Sequence, residues 1–379
     1  MITLSTLIAI HGINTINQCN LYNKLYIFQQ TMVKQRKEFP HKIEDVDSKL
    51  AEELMKHYTG ELTGFVRVGP KGYFFPHKYK ECAADFYNML VKPDDIFINT
   101  FPRSGTTWTQ EMIWLLQNNL DFEKAKNTPL ALRYPFLDFS MLVHPELEKQ
   151  MFEENKQDEE KLNIVKIANM PGVEKVENVP SPRFIKSHLP LSLLPPTLLD
   201  KAKVVYVARD PRDVVVSVYH FCKMHKIHGA PDNFKTFWNY FRKGLHYYAP
   251  IFEHVKEAWN ERNHPNMLFI FYEELQENLP AVVRKVASFL GKKVTNEQVQ
   301  QICDHLSFNN FKNNKAVNHS LLKKINFVNT DQTFIRKGKV GSWREYFDEE
   351  MELQADEWFS INLRDSDLVY PTFPTKCIL

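Results

Sequence analysis

Cysteine is scarce in this sequence and is not arranged for a structural role. Only five of the 379 residues are cysteine, an odd number, and no two of them form a Cys-x-x-Cys pair. They are scattered along the chain at Cys19, Cys82, Cys222, Cys303 and Cys377. Such spacing argues against both a disulfide framework and a structural zinc site. We therefore expect the fold to depend on a hydrophobic core, for which the 43% of hydrophobic residues is sufficient.

An excess of charge and a long apolar run are missing as well. The formal net charge is only +2, so any anion site must be local, and neither a nucleic-acid nor a membrane partner is indicated. Residues 2–10 are mildly apolar but too few to span a bilayer, and they lack the basic region of a signal peptide. These features together predict a cytoplasmic protein.

Repeats and long polar linkers are also absent, which favours a single domain over residues 36–379. Residues 1–35 are interpreted as a loose N-terminal tail, because globular patterning begins only after Met32. The sequence leaves open whether translation starts at Met1 or at Met32.

No stretch matches the Walker A pattern, which needs two glycines and a lysine at fixed spacing. Residues 96–108 instead combine an apolar run of β-forming residues, a turn marked by Pro102 and Gly105, and helical spacing from Thr106 onward. A strand that leads through a small-residue loop into a helix N-terminus creates an anion cradle. The loop supplies one cation and three hydroxyl groups, from Arg103, Ser104, Thr106 and Thr107. Taken alone, it could equally be an ordinary strand–helix turn.

Three further apolar stretches have the composition of buried strands, at residues 183–188, 204–209 and 267–272. The second is followed by Asp210 and Pro211, which suit the cap and the first position of a helix. Together with the strand before the loop, these stretches give four strand–helix units. Such units predict an α/β fold with a doubly wound, mainly parallel sheet.

Polar residues stand where these strands end. Lys186 and His188 are two residues apart, so they share one face of a strand, at the carboxyl end where open α/β sheets bind ligands. A lone histidine is more often structural, so only its neighbours favour a catalytic role. Arg209 ends another strand and Ser217 lies two turns into the next helix. An ion pair with a local aspartate is the alternative interpretation of Arg209.

A basic pair stands near the C-terminus, where Arg336 and Lys337 precede Gly338. Arginine can bind two phosphate oxygens at once, and glycine lets the backbone approach them, so this stretch suits a phosphate. A solvated basic loop is the alternative. Residues 341–347 are expected to start a helix.

The rest of the chain carries weaker signals. Helical spacing predicts helices at residues 43–57 and 83–90, and residues 60–72 are rich in turn residues. Residues 121–180 look irregular. Within them, residues 146–161 are strongly charged and helix-prone, and they are interpreted either as a solvated surface helix or as part of a lid or substrate wall.

Four separated motifs together resemble the cytosolic sulfotransferase family. They are Thr-Phe-Pro-Arg-Ser-Gly-Thr-Thr-Trp, Phe-Ile-Lys-Ser-His-Leu-Pro, Tyr-Val-Ala-Arg-Asp-Pro-Arg-Asp-Val-Val-Val-Ser and Arg-Lys-Gly-x-x-Gly-x-Trp, in the family's order. The resemblance spans about residues 60–365. It implies a P-loop-like phosphosulfate-binding loop and transfer of a sulfuryl group from 3′-phosphoadenosine 5′-phosphosulfate (PAPS) to a phenol, sterol or alcohol hydroxyl, with 3′-phosphoadenosine 5′-phosphate (PAP) as the other product and no metal.

The resemblance also implies a role for each motif residue. His188 would be the general base, and Lys186 and Arg103 would stabilise charge on the transferring group and the departing phosphate. The 5′-phosphosulfate would lie on Arg103, Ser104, Gly105, Thr106 and Thr107. The adenine would stack on Trp108 and Phe308, and Tyr272 matches the family's nucleotide-site tyrosine. The 3′-phosphate would be bound by Arg209 and Ser217, with Arg336, Lys337 and Gly338 closing over it.

The chain departs from the family pattern at several positions. Most members have lysine in place of Arg103 and aspartate in place of Ser342, and Leu306 replaces a hydroxyl residue. The family's dimerisation pattern would fall at residues 344–353 but lacks its Thr-Val centre, so a homodimer is possible and not firmly predicted. The insert at residues 145–180 is long and resembles that of insect members such as retinol dehydratase.

The acceptor is not defined by these motifs. Its pocket is expected to be mostly aromatic, with Phe101, Tyr134, Phe136, Tyr219, His220 and Phe221 as candidate lining residues. Three other functions are alternatives. The missing Walker lysine and the second phosphate site at Arg209 and Ser217 argue against a P-loop kinase, and His188 argues against a non-catalytic binder of adenosine bisphosphates. The resemblance to retinol dehydratase leaves a third, a dehydratase that sulfates an allylic alcohol before elimination.

Overall fold

The described part of the chain forms two β-sheets. The computed structural model describes residues 37–328 and 334–372, so the proposed tail over residues 1–35, Cys19 and Cys377 lie outside it. The strands are β1 (Ile43–Asp45), β2 (Phe65–Val68), β3 (Tyr73–Pro76), β4 (Ile96–Thr100), β5 (Phe184–Ser187), β6 (Lys203–Ala208) and β7 (Met267–Phe271).

The larger sheet contains the four predicted strands, all parallel, in the order β5-β4-β6-β7. In β4, Ile98 pairs with Lys186 on one side and with Val205 on the other. All of β4 is buried, as expected for a strand covered on both faces. The chain passes from β4 first to β5 and later to β6 on the opposite side, and ligands of open α/β sheets bind in the crevice at such a reversal. The predicted α/β fold is confirmed.

Helices surround this sheet in the described part of the chain. They are α1 (Ser48–Met55), α2 (Tyr79–Asn88), α3 (Thr106–Gln117), α4 (Phe122–Asn127), α5 (Leu130–Arg133), α6 (Pro145–Asn155), α7 (Glu159–Asn169), α8 (Gly172–Glu177), α9 (Leu198–Lys201), α10 (Pro211–Met224), α11 (Phe234–Arg242), α12 (Ile251–Asn260), α13 (Tyr272–Glu277), α14 (Leu279–Phe289), α15 (Asn296–Leu306), α16 (Phe308–Asn313), α17 (Ser320–Lys324) and α18 (Glu349–Leu363). Short 3₁₀ helices occupy Ser140–Leu142, Leu191–Leu193, Lys315–Val317 and Ser342–Glu345.

The two faces of the parallel sheet bury alternate side chains. Val205 and Ile270 on one face join a core with the apolar sides of α3, α14 and α15. On the other face, the hydroxyl of Tyr206 lies 2.7 Å from Nδ1 of His254 in α12. The sheet is therefore covered on both sides, as a doubly wound fold requires.

The helix after β6 begins as predicted. Asp210 caps α10, and its carboxylate accepts a hydrogen bond from the backbone N–H of Arg212 at 2.9 Å. Pro211 takes the first helical position, where its missing N–H costs nothing.

The prediction for residues 43–57 is wrong in its first part. β1 occupies Ile43–Asp45, and α1 begins only after Asp47, whose side chain accepts from two backbone N–H groups. The turn-rich stretch at residues 60–72 contains β2, and β3 follows it, so β1, β2 and β3 form an antiparallel sheet. Such short strands carry too few residues for a reliable alternation, and only their pairing stabilises them.

Residues 121–180 are not irregular. They contain α4 to α8, and aspartate caps at Asp121 and Asp158 start two of these helices. Pro171 separates α7 from α8. The predicted helix at 341–347 is only a short 3₁₀ helix, Ser342–Glu345. Among the described residues, none of the helices is long and apolar enough to cross a membrane.

Candidate active site

The loop between β4 and α3 has the geometry of an anion cradle. Gly105 has φ of 107°, and a Cβ there would lie 2.8 Å from the ring of Tyr272, so only glycine fits. The hydroxyl of Ser104 is buried and has no hydrogen-bond partner. The hydroxyl of Thr106 lies 2.8 Å from that of Thr100. Thr107 lines the same cavity as Arg103, Gly105 and Thr106, whereas Ser104 is not among its lining residues.

Arg103 adopts φ of 69° and turns its guanidinium inward. Its Nε donates to the hydroxyl of Ser217 at 3.1 Å, and one terminal nitrogen donates to the carbonyl of Phe334 at 2.9 Å. The guanidinium carbon lies 5.1 Å from the ring centre of Phe221 and 4.4 Å from that of Phe334. The resemblance assigned Arg103 and Ser217 to different ends of the nucleotide, but the fold brings them into contact.

Three arginines converge beside this loop. Burial, together with the charges of Arg209 and Arg336, lowers the pKa of Arg103 to about 10. Arg209 is buried, lies 4.2 Å from the ring centre of Tyr272, and leaves its Nε without a partner. A partly buried group of like charges with an unused donor is the environment that an anionic ligand stabilises.

Asp213 is a residue of this region that the sequence analysis missed. It lies 3.8 Å from Arg209, which agrees with the alternative interpretation of that arginine. It also accepts hydrogen bonds from the backbone N–H groups of Gly341 and Trp343, at 2.7 and 3.0 Å. Arg209 in turn donates to the carbonyl of Lys339 at 3.1 Å. These bonds hold the C-terminal basic loop against the expected phosphate side of the cavity.

The expected adenine side is assembled from three elements. The indole N–H of Trp108 donates to the carbonyl of Leu306 at 2.9 Å, and its ring lies 5.9 Å from Tyr272. Phe308 is 40% exposed and covers Gly338, where a Cβ would lie 2.6 Å from the phenylalanine ring.

The basic pair ahead of Gly338 is not free. Arg336 reaches the hydroxyl of Tyr346 at 3.4 Å, and Lys337 forms an ion pair with Glu345.

One ring nitrogen of His188 donates a hydrogen bond within the protein, and the other can accept a proton. Its Nδ1 lies 2.8 Å from the carbonyl oxygen of Thr100, which can only accept, so Nδ1 carries the proton and Nε2 is the basic nitrogen. The residue is 7% exposed. Burial, with the charge of Lys186 as the second cause, holds the pKa of His188 well below its usual value. The ring is therefore neutral and able to accept a proton near pH 7.

Lys186 stands beside this base, as the strand periodicity predicts. Its ammonium lies 3.9 Å above the ring of Phe136, and both Lys186 and His188 line the cavity. Burial lowers the pKa of Lys186 to about 8, and Asp138 opposes that shift. A desolvated cation at this position can stabilise a developing negative charge.

Asp138 is a second residue that the sequence analysis missed. Its carboxylate accepts from the hydroxyl of Ser187 at 2.8 Å, the backbone N–H of His188 at 3.1 Å and the hydroxyl of Tyr248 at 2.6 Å. Burial raises the pKa of Asp138 to about 6. Asp138 therefore fixes the end of β5 and places a negative charge near Lys186.

One cavity of about 600 Å³ joins the cradle to these residues. Of the expected aromatic lining, Tyr134, Phe136 and Phe221 contribute to it, whereas Phe101, Tyr219 and His220 do not. Phe101 instead packs on Phe241, the hydroxyl of Tyr219 donates to Asp232, and His220 lies 2.8 Å from Tyr346. Local sequence could not separate these groups, because all six belong to similar apolar stretches.

The insert contributes a wall of the cavity. Ile164 and Ile167 of α7 and Lys175 of α8 line it. These contacts favour the substrate-wall interpretation for the insert, whereas the charged run at residues 146–161 contributes only Glu160 to the lining.

Comparison with known proteins identifies the family to which this cavity and its loops belong. A sulfotransferase domain model matches residues 93–367, well over half of the chain. The chain belongs to the sulfotransferase family. Dog sulfotransferase 1A1 is 36% identical over 272 residues, which cover 71% of this chain and 83% of the relative. Bovine sulfotransferase 1E1 is 34% identical over 298 residues, 78% and 92% of the two chains.

Solved structures give the same family. Retinol dehydratase, determined with androsterone and the inactive cofactor PAP, superposes with a TM-score of 0.83 at 44% identity, covering 89% of this chain and all of that one. Another structure of that enzyme holds retinol and PAP. A mouse sulfotransferase complexed with PAP gives a TM-score of 0.58 at 25% identity over 78% of this chain and 93% of its own. The present chain is therefore a PAPS-dependent sulfotransferase, which rules out the kinase alternative.

Replacement of Asp138 by asparagine is expected to change the pH dependence of this sulfotransferase. A lysine can stabilise negative charge only when it is protonated, so with Lys186 in this role activity is expected to fall as pH rises through its pKa. Removing the carboxylate takes away the interaction that raises this pKa, and the basic limb of kcat/KM should move to lower pH, since kcat/KM reports the free enzyme.

Tyr248→Phe is the matched control for Asp138→Asn. It removes one hydrogen bond to Asp138 but leaves the carboxylate charge in place. An equal shift of the basic limb in both variants would contradict the electrostatic role of Asp138.

Proposed function

We propose that this sulfotransferase transfers the sulfuryl group of PAPS to a hydroxyl of a small, mainly apolar acceptor held in the cavity, with His188 as general base. The observation that carries the proposal is the hydrogen bond from Nδ1 of His188 to the Thr100 carbonyl, which leaves Nε2 as the basic nitrogen. His188 and Lys186 line the same cavity as the anion cradle. Nucleotide binding alone would not require such a base.

The donor site suits the two ends of PAPS. The unpartnered hydroxyl of Ser104 and the positive end of α3 would receive the 5′-phosphosulfate, with Gly105, Thr106 and Thr107 around it. The unpartnered Nε of Arg209 is available to the 3′-phosphate, near Ser217 and the loop of Arg336, Lys337 and Gly338. The rings of Trp108, Tyr272 and Phe308 would enclose the adenine.

The proposed transfer proceeds in a single displacement. The acceptor oxygen forms a bond to sulfur while the bond between sulfur and the 5′-phosphate oxygen breaks, and PAP leaves. Nε2 of His188 takes the hydroxyl proton. Lys186 and Arg103 stabilise the negative charge that spreads over the sulfuryl group and the departing phosphate.

A second candidate function is a dehydratase. It is favoured by the likeness to retinol dehydratase and by the insert helices that line the cavity. On this reading an allylic alcohol would first be sulfated at the same site and would then lose sulfate by elimination.

One screen tests both candidates. We expect ³⁵S-labelled PAPS to yield labelled sulfate esters with phenols, sterols or alcohols. With an allylic alcohol such as retinol, release of inorganic sulfate with an unsaturated hydrocarbon would identify the dehydratase. The proposal would be overturned if PAP formed from PAPS while none of the acceptors became sulfated or underwent elimination.

Arg209→Ala is expected to weaken binding of PAP far more than binding of adenosine 5′-phosphosulfate, which lacks the 3′-phosphate. The expected loss for PAP is about 1.5–3 kcal/mol, the scale of a hydrogen bond to a charged group. Isothermal titration of both nucleotides measures the difference. Equal losses would mean that Arg209 acts only through its bonds to the Arg103 and Lys339 carbonyls.

A further inference from the structure

Four histidines line the cavity away from the proposed base: His225, His228, His246 and His319. They come from the end of α10, the loop after it, the loop before α12 and the start of α17. The proposed transfer uses none of them. A wall built for an apolar acceptor alone would not need imidazole rings, because burying an unpaired polar group is unfavourable.

Two of these histidines, His225 and His319, are hydrogen-bonded to each other. Nδ1 of His225 lies 2.9 Å from the carbonyl oxygen of Phe221, so it carries the proton, and Nε2 then accepts from Nδ1 of His319 at 3.1 Å. The ring of His319 also packs on Phe334 at 3.8 Å between centres. This pair is accounted for by its contacts within the protein.

His228 and His246 are different. They are 4% and 3% exposed, and Nδ1 of each is buried without a hydrogen-bond partner, so only Nε2 of each ring can meet a ligand in the cavity. Neither ring forms a hydrogen bond through its other nitrogen to any residue in the described ranges. Burial lowers the pKa of both to about 3, so both rings are neutral and each carries one N–H donor.

A turn that contains Tyr247 and Tyr248 lies between this pair of histidines and His188. The ring of Tyr248 lies 5.7 Å from that of His188. The ring of the neighbouring Tyr247 lies 5.5 Å from His228 and 5.8 Å from His246. The two unpartnered imidazoles are thus separated from the base by the Tyr247–Tyr248 turn and do not belong to the reacting centre.

We propose that the preferred acceptor carries a second oxygen, a ketone or hydroxyl, that accepts hydrogen bonds from His228 and His246 while its reacting hydroxyl lies at His188. This inference rests on the proposed function and adds the class of acceptor. Neutral donors suit a neutral oxygen, whereas an acceptor carboxylate would require a cation there.

The test compares two rigid acceptors that differ only in the distal oxygen. Androsterone has a 3α-hydroxyl and a 17-ketone, and 5α-androstan-3α-ol lacks the ketone. With the wild-type enzyme we expect a KM for androsterone that is lower by about three- to tenfold for each of the two neutral hydrogen bonds. His228→Phe and His246→Phe should each remove one of these factors, and the double variant should raise the KM for androsterone to that of the deoxo compound, while kcat changes little.

Two further variants keep this test decisive. His246→Gln retains an N–H donor and should restore part of the preference. His57→Phe changes a histidine outside the cavity, whose ring lies 5.8 Å from Tyr240, and should leave the preference unchanged. Equal KM values for both steroids in the wild type, or a preference that neither single variant reduces, would overturn the inference. Failure to sulfate either steroid or any other hydroxyl compound would instead refute the proposed function.

Discussion

His188→Ala is expected to lower kcat by about 10²–10⁴-fold, the usual contribution of a positioned general base. The reason is that Nδ1 is bound to the Thr100 carbonyl and only Nε2 can take the acceptor proton. PAP affinity should change little, because the proposed nucleotide contacts lie on the cradle and the arginines. Rapid-mix kinetics at saturating PAPS, with calorimetric titration of PAP, measure both quantities.

The pH profile gives an independent check on the base. The neutral ring is the active form, so activity is lost as pH falls through the pKa of His188. Burial holds that pKa below its usual value of 6.5, and the acidic limb of the wild type should therefore lie below pH 6.5. His57→Ala is a matched histidine replacement outside the cavity and should retain wild-type turnover. A His188→Ala enzyme that keeps more than about a tenth of wild-type kcat would exclude a general-base role.

Arg103→Ala is expected to reduce kcat by about 10²-fold or more, comparable to removal of one oxyanion-hole donor. Arg103 is held by Ser217 and by the Phe334 carbonyl, with its guanidinium against the rings of Phe221 and Phe334. This support fixes a positive charge at the edge of the cradle before the donor binds. Its fixed position avoids reorganisation during the transfer, which is the source of the expected effect.

Arg103→Lys separates charge from geometry. Lysine keeps the charge but cannot make both hydrogen bonds or stack its whole head group on the rings. We expect it to stay within about tenfold of wild-type kcat, tenfold corresponding to about 1.4 kcal/mol. Steady-state kinetics at saturating PAPS compare the two variants. An alanine variant that changes only KM, or equal losses of kcat in both variants, would mean that Arg103 does not act on the transition state through its charge.

Several site features could be predicted because their signals are local. The β4–α3 cradle is encoded by an apolar run followed within a few residues by Pro102 and Gly105. The shared face of Lys186 and His188 follows from the two-residue period of a strand. Asp210 and Pro211 mark the start of α10 by the same kind of short-range chemistry.

The tertiary structure alone decided the contacts that hold these features together. Asp138 stands 50 residues before His188 in the chain, and Asp213 stands 128 residues before the Gly341 N–H that it binds. The insert reads as a charged surface segment, yet Ile164 and Ile167 face the cavity. His228 and His246 also line the cavity from separate loops. Short-range spacing fixes which face of a strand or helix a side chain occupies, but the partner on that face is chosen by packing between distant segments, which no local pattern contains.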